Sequence, residues 1–250
     1  MQSQAHDSLA AASARKTAAT LGFYVAILTV AFTISTFALA IVTPPLSGPY
    51  CADEPCFEYP YLEDISERFP RDYYWMYPAI VLTLLYLALM VCIHYFAPES
   101  RRPVTHFGML LAALATGIIV VDYFVQVSVV QISLEAGETD GIALLTQYNP
   151  HGLFIVLEDV GYLLMGVSFA FVAPAFTGVG RLEQVLRVVL ILGTVAVLVA
   201  LSGVVVMYGI EREYRFEVFA ISIDWLVLVI AGALLAAIFW RARMSVARSS

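Results

Sequence analysis

The sequence predicts an all-α membrane protein, a bundle of six transmembrane helices with both termini in the cytoplasm. Of its 250 residues, 61% are hydrophobic and only 13% are charged, and its mean hydropathy is +0.84. Soluble domains carry about 25% charged residues. The composition therefore indicates that lipid surrounds most of the chain, and the length suits one compact bundle rather than two domains.

Six windows of the sequence are long and apolar enough to cross a bilayer, which takes about 20 residues for a hydrocarbon core of about 30 Å. The windows are residues 21–43, 73–96, 107–131, 152–175, 185–209 and 216–240. We predict helices because lipid cannot satisfy unpaired backbone groups, and because these continuous apolar runs lack the alternation of barrel strands. Residues 1–20 and 244–250 are predicted to be tails that flank a membrane domain spanning 21–243, and the first of them is expected to be flexible.

The basic residues predict the orientation of these spans. One side of the predicted topology holds nine Lys and Arg residues and the other holds four, which together account for all 13. Cytoplasmic loops carry the excess of basic residues. Both termini are therefore predicted to face the cytoplasm in a cell membrane, and the loop 44–72 is predicted to face outward.

A cleaved signal peptide is an alternative for the first span. Arg15 and Lys16 precede an apolar run, and Ala38 and Ala40 provide the small residues of a cleavage site. The apolar run is longer than the 7–15 residues or so of a typical signal-peptide core. We therefore favour a retained first span.

The outward loop 44–72 contains two of the three cysteines, Cys51 and Cys56. Disulfides persist in oxidising compartments, so we predict a Cys51–Cys56 disulfide, with two unpaired thiols as the alternative. Cys92 lies at the inner end of the second span and is predicted to pack there. The same loop carries seven acidic residues against two arginines, which predicts a solvated acidic cap and a candidate surface for a protein partner.

Carboxylates inside the spans are the strongest functional signal in the sequence. The four are Asp122, Glu158, Asp159 and Asp224. A charge near the bilayer centre costs roughly 2.5–3.5 kcal/mol on insertion scales, and no Lys or Arg lies deep in a predicted span. We expect these groups to be protonated, hydrogen-bonded or bound to a cation. Structural bonding between helices, at about 0.6 kcal/mol each, is the alternative.

Helical spacing predicts which side chains accompany these acids. Asp122 and Gln126 are four residues apart, as are Glu158 and Tyr162, so each pair shares a helix face. The acids lie in the outer half of the membrane when the spans are counted at about 1.5 Å per residue. We therefore predict an acidic pocket among spans three, four and six.

Polar residues just outside spans four and six border this predicted pocket. Asn149 is predicted to be the N-cap of span four, with Pro150 as its first residue. His151 would then stand at the outer mouth of the pocket, where an imidazole responds to pH. Arg212 and Arg215 precede span six and are predicted to be within reach of Asp224 or Glu217, which share a face at i,i+7.

Absent motifs narrow the function classes. Lys16 is the only lysine, so no span offers a Schiff-base lysine. Haem needs two facing axial histidines, and only His94 and His106 lie at one depth. The zinc-hydrolase, nucleophile-elbow and P-loop motifs are missing, so no cofactor or metal is implied. A net charge of −7 argues against nucleic acid as a partner.

A weak internal similarity suggests a repeat. Residues 119–127 resemble residues 221–229, with an Asp followed by an aromatic residue in each. The order predicts three spans repeated twice with inverted topology, as in many secondary transporters. Chance similarity between apolar segments is the alternative.

The segment 147–162, Gln-Tyr-Asn-Pro-His-Gly-Leu-Phe-Ile-Val-Leu-Glu-Asp-Val-Gly-Tyr, resembles multi-pass integral membrane proteins of bacteria and archaea to which no activity is assigned. The resemblance implies a membrane fold and no residue roles. Our first hypothesis is a small-solute or ion- or proton-linked transporter or binding protein. The second is a non-catalytic subunit, sensor or assembly factor, and the third is a membrane enzyme. The predicted partners are the lipid bilayer and a small solute or cation.

Overall fold

The structure, a computed structural model, describes residues 2–43, 45–51, 56–63 and 65–247, with the backbone alone for 2–12 and 245–247. It contains six long helices and, within these ranges, no strand. They are α1 (Gln2–Ile41), α2 (Met76–Phe96), α3 (Arg102–Phe124), α4 (Leu153–Val172), α5 (Arg181–Tyr208) and α6 (Arg215–Ala247). Each belongs to a helical stretch long and apolar enough to cross a membrane. The six-helix fold class predicted from the sequence is therefore confirmed.

Short helical turns join these long helices. They are Gly48–Tyr50, Ile65–Arg68, Arg71–Tyr73, Glu99–Arg101, Ile142–Leu145 and Ala173–Ala175. Helices that are neighbours in sequence pack side by side, and the ring closes where α1 contacts α6. Because α4 also contacts α2 and α6, one face of this helix lies in the interior of the bundle, while Val156 and Val160 on the other face are exposed.

The helix α3 does not end at Phe124 but continues through a π-helical segment, Val125–Val130, into Gln131–Glu135. The Gln126 side chain lies on that segment. Its Nε2 donates to the Leu145 carbonyl at 2.6 Å, and its Oε1 accepts from the Gln147 N–H at 2.9 Å. A π-helical turn rotates the following side chains relative to an α-helix, and here Gln126 holds the loop that precedes α4.

The first and the last helix of the chain extend beyond the predicted spans. The helix α1 begins at Gln2, so residues 2–20 form part of a helix instead of a separate tail. This segment is rich in alanine, which has the highest helix propensity. At the other end α6 continues to Ala247.

The start of α4 differs from the prediction. Its N-cap is Gly152, so the assignment of Asn149 as N-cap was wrong. Asn149 instead closes the preceding turn, where its Oδ1 accepts the His151 N–H at 2.9 Å and its Nδ2 donates to the Ala143 carbonyl at 2.7 Å. An Asn side chain readily forms such local bonds in place of a helix cap.

Three loops interlock at one end of the bundle, and we call residues 45–73, 138–152 and 209–214 the loop cap. Cys51 and Cys56 form the predicted disulfide within it, with 2.07 Å between the Sγ atoms. Ser47 Oγ donates to the Tyr148 carbonyl at 2.5 Å and is 2.6 Å from the Tyr214 hydroxyl, which itself donates to the Gln147 carbonyl at 3.0 Å. These buried bonds join all three loops.

The described acidic residues of the loop 44–72 divide into two groups. Glu58, Glu63 and Glu67 are exposed, as a solvated cap requires, whereas Asp53, Glu54 and Asp64 lie outside the described residues. Asp72 is only 3% exposed, so it does not belong to a solvated surface. It accepts hydrogen bonds from Arg71 Nε at 2.6 Å and from the Tyr148 hydroxyl at 3.1 Å, and it lies 3.7 Å from Arg68.

We expect the fold to lose stability above about pH 10, the usual pKa of tyrosine. Burial raises the pKa of Tyr148 and of Tyr214. The folded protein thus retains these phenol protons after the unfolded chain has released them. Their contribution is present below about pH 10 and declines as the pH rises. Thermal unfolding in detergent between about pH 8 and about pH 11 measures this decline. The double variant Tyr148→Phe, Tyr214→Phe should flatten it, and an unchanged slope would contradict the argument.

Close packing of α3 against α4 depends on Gly161. A Cβ at this position would lie 2.5 Å from Ile119 Cγ1. We expect Gly161→Ala to lower the free energy of unfolding by about 1–3 kcal/mol through overpacking. Gly117→Ala is the matched control, because a Cβ there meets nothing within 4 Å. The control should gain about 0.5–1 kcal/mol from helix propensity. Equal effects of the two changes on thermal unfolding would contradict this assignment.

Candidate functional site

Four carboxyl groups from three helices meet near the loop cap, and we call them the carboxyl cluster: Asp122, Glu158, Asp159 and Glu217. Asp122 lies near the end of α3, Glu158 and Asp159 lie in the second turn of α4, and Glu217 lies in the first turn of α6. Glu158 is fully buried, and Asp122 and Asp159 are 1% and 7% exposed. The groups are close enough to interact electrostatically.

At the centre of the cluster the carboxyl groups of Glu158 and Glu217 lie close enough to share a hydrogen bond if one of them is protonated. An ionised carboxylate can only accept hydrogen bonds, so a hydrogen bond within this pair requires at least one shared proton. Glu158 Oε2 and Glu217 Oε2 receive no hydrogen bond from a donor in the described chain. Two adjacent carboxyls also resist simultaneous ionisation because like charges repel. The geometry therefore brings two carboxyl groups together inside the membrane-spanning bundle with no basic side chain between them.

Two buried tyrosines extend the cluster toward the middle of the bundle. The Tyr123 hydroxyl donates to Glu158 Oε1 at 2.6 Å, and the Tyr162 hydroxyl lies 2.8 Å from that of Tyr123. Since the single proton of Tyr123 is used by Glu158, Tyr162 donates to Tyr123. Consecutive bonds of this kind polarise one another at low dielectric. The result is a directed chain from Tyr162 through Tyr123 to Glu158.

Basic residues contact only the rim of the cluster. Arg212 Nε lies 3.7 Å from Asp159 Oδ2, so this arginine reaches Asp159 and not Asp224 or Glu217. Arg215 pairs instead with Glu213 at 3.2 Å. Among the described residues, no Lys or Arg lies within 4 Å of the other three cluster acids. Full ionisation would therefore leave several negative charges in a region of low dielectric.

His151 lies outside the cluster, at the surface of the loop cap. Its side chain is 61% exposed, and its Nε2 is 3.8 Å from Glu213 Oε1. The structure thus places His151 near the rim that contains Arg212 and Glu213, as its position before α4 suggested. The Gln126 side chain points toward the loop 142–147 and is used there.

Asp224 lies apart from the carboxyl cluster. It is seven residues beyond Glu217, about 10 Å along α6, and it is fully buried. Neither of its oxygens has a hydrogen-bond donor in the described part of the chain. Its Oδ1 lies 3.0 Å from the position of a Cβ at Gly166 of α4. Tyr162 is close enough to interact electrostatically with both Glu158 and Asp224.

The structure therefore unites three of the four predicted carboxylates and adds Glu217, which the sequence indicated only as a neighbour of Asp224, and Tyr123, which sequence reasoning missed. Glu217 lies at the boundary of its span, where an acid normally faces headgroups, and only its i,i+7 spacing to Asp224 gave a signal. Tyr123 follows Asp122 directly, so the two point about 100° apart on a helix. No spacing in the sequence indicated that α4 would contact both the Asp122 face and the Tyr123 face of α3.

Two concave surfaces lie away from the carboxyl cluster. One, of about 490 Å³, is an open groove along α5 lined by residues such as Val195 and Val206. The other, of about 350 Å³, lies at the end of the bundle opposite the loop cap and is lined by residues such as Arg15 and Arg241. The described residues contain no group of three or more His, Cys, Asp and Glu side chains arranged to hold a metal ion.

Comparison with known proteins gives no family from which site roles can be assigned. A scan against protein-family models, a search of curated proteins and a search of solved structures each found no match to this chain.

Proposed function

We propose that this chain is a proton-linked multi-pass protein of the cell membrane, a transporter or binding protein for a small solute or ion whose carboxyl cluster takes up and releases a proton. The observation that supports this proposal is the close approach of the Glu158 and Glu217 carboxyl groups inside the membrane-spanning bundle, where Glu158 is fully buried. A proton is the only ligand that a hydrogen bond between them requires.

Burial favours a proton over a larger ligand as the resident of the cluster. Asp122, Glu158 and Asp159 are each at most 7% exposed, so a solute would need the helices to move before it could touch them. Loss of the shared proton would place like charges on α4 and α6 at hydrogen-bonding distance. Such repulsion favours a different helix arrangement, which is how protonation can be linked to a conformational change.

The proposed orientation places the carboxyl cluster in the outer half of the membrane. The side with nine basic residues is assigned to the cytoplasm by the usual excess of Lys and Arg there. The loop cap and its disulfide then face an oxidising compartment, in which disulfides persist. Protons would reach the cluster from the outer side, past His151 and Glu213.

A proton sensor is the second candidate, favoured by the loop cap that covers the cluster. Ser47, Tyr148 and Tyr214 form buried hydrogen bonds between loops from three parts of the chain. In this role a change of protonation would rearrange the cap without moving a solute. The exposed Glu58, Glu63 and Glu67 of the cap would then offer an acidic surface to a protein partner.

Asp122→Asn is expected to abolish the pH-dependent signals of the protein in liposomes while leaving expression unchanged. Asn keeps the shape of Asp but cannot ionise, so the electrostatic coupling of position 122 to Glu158 is lost. Two signals are measured: proton flux with an enclosed pH-sensitive dye, and tryptophan fluorescence, since Trp75 packs on Tyr123 at 5.2 Å between ring centroids. Glu99→Gln, an exposed change at the opposite end, is the control.

The two signals distinguish the candidate functions. A proton flux in the unmodified protein supports the transporter, whereas a pH-dependent fluorescence change without flux supports the sensor. An unchanged pair of signals in Asp122→Asn would remove Asp122 from the mechanism. Absence of both signals in the unmodified protein would overturn the proposal of a proton-linked function.

A further inference from the structure

The cleft of about 350 Å³ at the end opposite the loop cap is built from four span ends. Arg15 comes from the beginning of the first span and Phe96 from the end of the second. Leu182 and Glu183 come from the start of the fifth span, and Ile238 and Arg241 from the end of the sixth. The cleft therefore lies at the level where a bilayer changes from hydrocarbon to headgroups.

Two guanidinium groups in this cleft lack a counter-charge. Neither Arg15 nor Arg241 forms a hydrogen bond or ion pair within the described chain. Arg15 instead lies over the Phe96 ring, 4.6 Å from its centroid. The one acid in the cleft, Glu183, is used internally, because its Oε2 accepts the Gly178 N–H at 2.5 Å. The cleft therefore has a net positive charge, because two arginines face a single carboxylate that already accepts a hydrogen bond from the backbone.

We propose that this cleft binds the phosphate of an anionic phospholipid headgroup. A guanidinium presents several N–H donors in a planar fork that matches phosphate oxygens. Leu182 and Ile238 provide an apolar wall for the first part of an acyl chain, which a free phosphate would not need. The volume lies within the range of about 300–1,000 Å³ that is common for ligand pockets.

The position of the cleft gives the lipid a structural consequence. Arg15 belongs to α1 and Arg241 to α6, and the contact between these two helices closes the ring of the bundle. A phosphate held by both arginines would link the first span to the last. The cytoplasmic leaflet, which the basic residues assign to this end, carries most of the anionic lipid of a cell membrane.

The test is lipid retention by the full chain in mixed micelles, measured by native mass spectrometry with phosphatidylglycerol and phosphatidylcholine of equal chain length. Phosphatidylglycerol should bind more tightly than phosphatidylcholine. Arg15→Gln and Arg241→Gln should each weaken phosphatidylglycerol binding about five-fold, and the double variant more than about ten-fold. Arg101→Gln removes the same charge at the same end outside the cleft and should have no effect. Unchanged thermal unfolding without added lipid shows that the variants are folded.

Three outcomes would overturn the proposal. Equal retention of the two lipids would show that the headgroup charge is not recognised. An equal loss in Arg101→Gln would show attraction by net charge alone. Displacement by inorganic phosphate at the same concentration as the lipid would show a site for free phosphate.

A charge-conserving variant, Arg15→Lys with Arg241→Lys, should retain part of the binding, since ammonium groups keep the charge but lose the planar fork of donors.

Discussion

Glu158→Gln is expected to remove the shared proton from the carboxyl cluster and leave the fold in place. A Gln amide donates an N–H to Glu217, so the hydrogen bond between α4 and α6 persists without a proton on either side chain. The Gln carbonyl can still accept from Tyr123, which lies 2.6 Å from Glu158 in the unmodified protein. The free energy of unfolding should therefore change by no more than about 1 kcal/mol, whereas pH-dependent activity should fall to background.

Infrared difference spectroscopy measures this loss directly, because a protonated carboxyl absorbs at a different frequency from a carboxylate. The carboxylic-acid band at neutral pH should diminish in Glu158→Gln and in the reciprocal Glu217→Gln. Glu99→Gln, which changes an acid with 73% side-chain exposure, should leave the band intact. A full-intensity band in both cluster variants would show that the proton resides elsewhere and would remove the basis of the proposed function.

Asp224→Val is expected to stabilise the protein. Both carboxyl oxygens of Asp224 are buried without a donor from the described chain. An unsatisfied buried polar group costs about 1–3 kcal/mol, and an apolar side chain of similar size avoids that cost. The free energy of unfolding should therefore rise by about 1–3 kcal/mol. A side chain that lowers stability in this way is typical of functional positions in membrane spans.

Asp72→Val is the matched control, since Asp72 is also a buried aspartate but has partners. Its loss leaves the Tyr148 hydroxyl and Arg71 without their acceptor, so stability should fall by about 1–3 kcal/mol. Thermal unfolding in one detergent compares the two variants. If Asp224→Val were destabilised as much as Asp72→Val, the Asp224 carboxyl would have to be satisfied in the folded protein, and its assignment as an unsatisfied buried group would be wrong.

The sequence was sufficient to predict which acids of the spans are buried. Asp122, Glu158, Asp159 and Asp224 were expected to face the interior because a carboxyl in contact with lipid is costly, and all four are buried. The sequence was not sufficient to predict which acids lie together, because that depends on how the helices are rotated against one another. The sequence analysis placed Asp224 with the other three acids. In the structure Asp224 lies two turns of α6 away from Glu217, and Glu217 takes its place in the cluster.

The sequence by itself determined the six spans, the disulfide and the interior position of the acids. Each of these depends on a local property: hydropathy summed over about 20 residues, two cysteines in one loop, and the cost of a single charge in lipid. Tertiary structure alone decided which carboxyl groups lie side by side. The rotation of α4 against α3 and α6 is set by close contacts such as Gly161 against Ile119, and contacts between distant segments leave no periodic pattern in the sequence. The pairing of Glu158 with Glu217 and Tyr123 follows from that rotation.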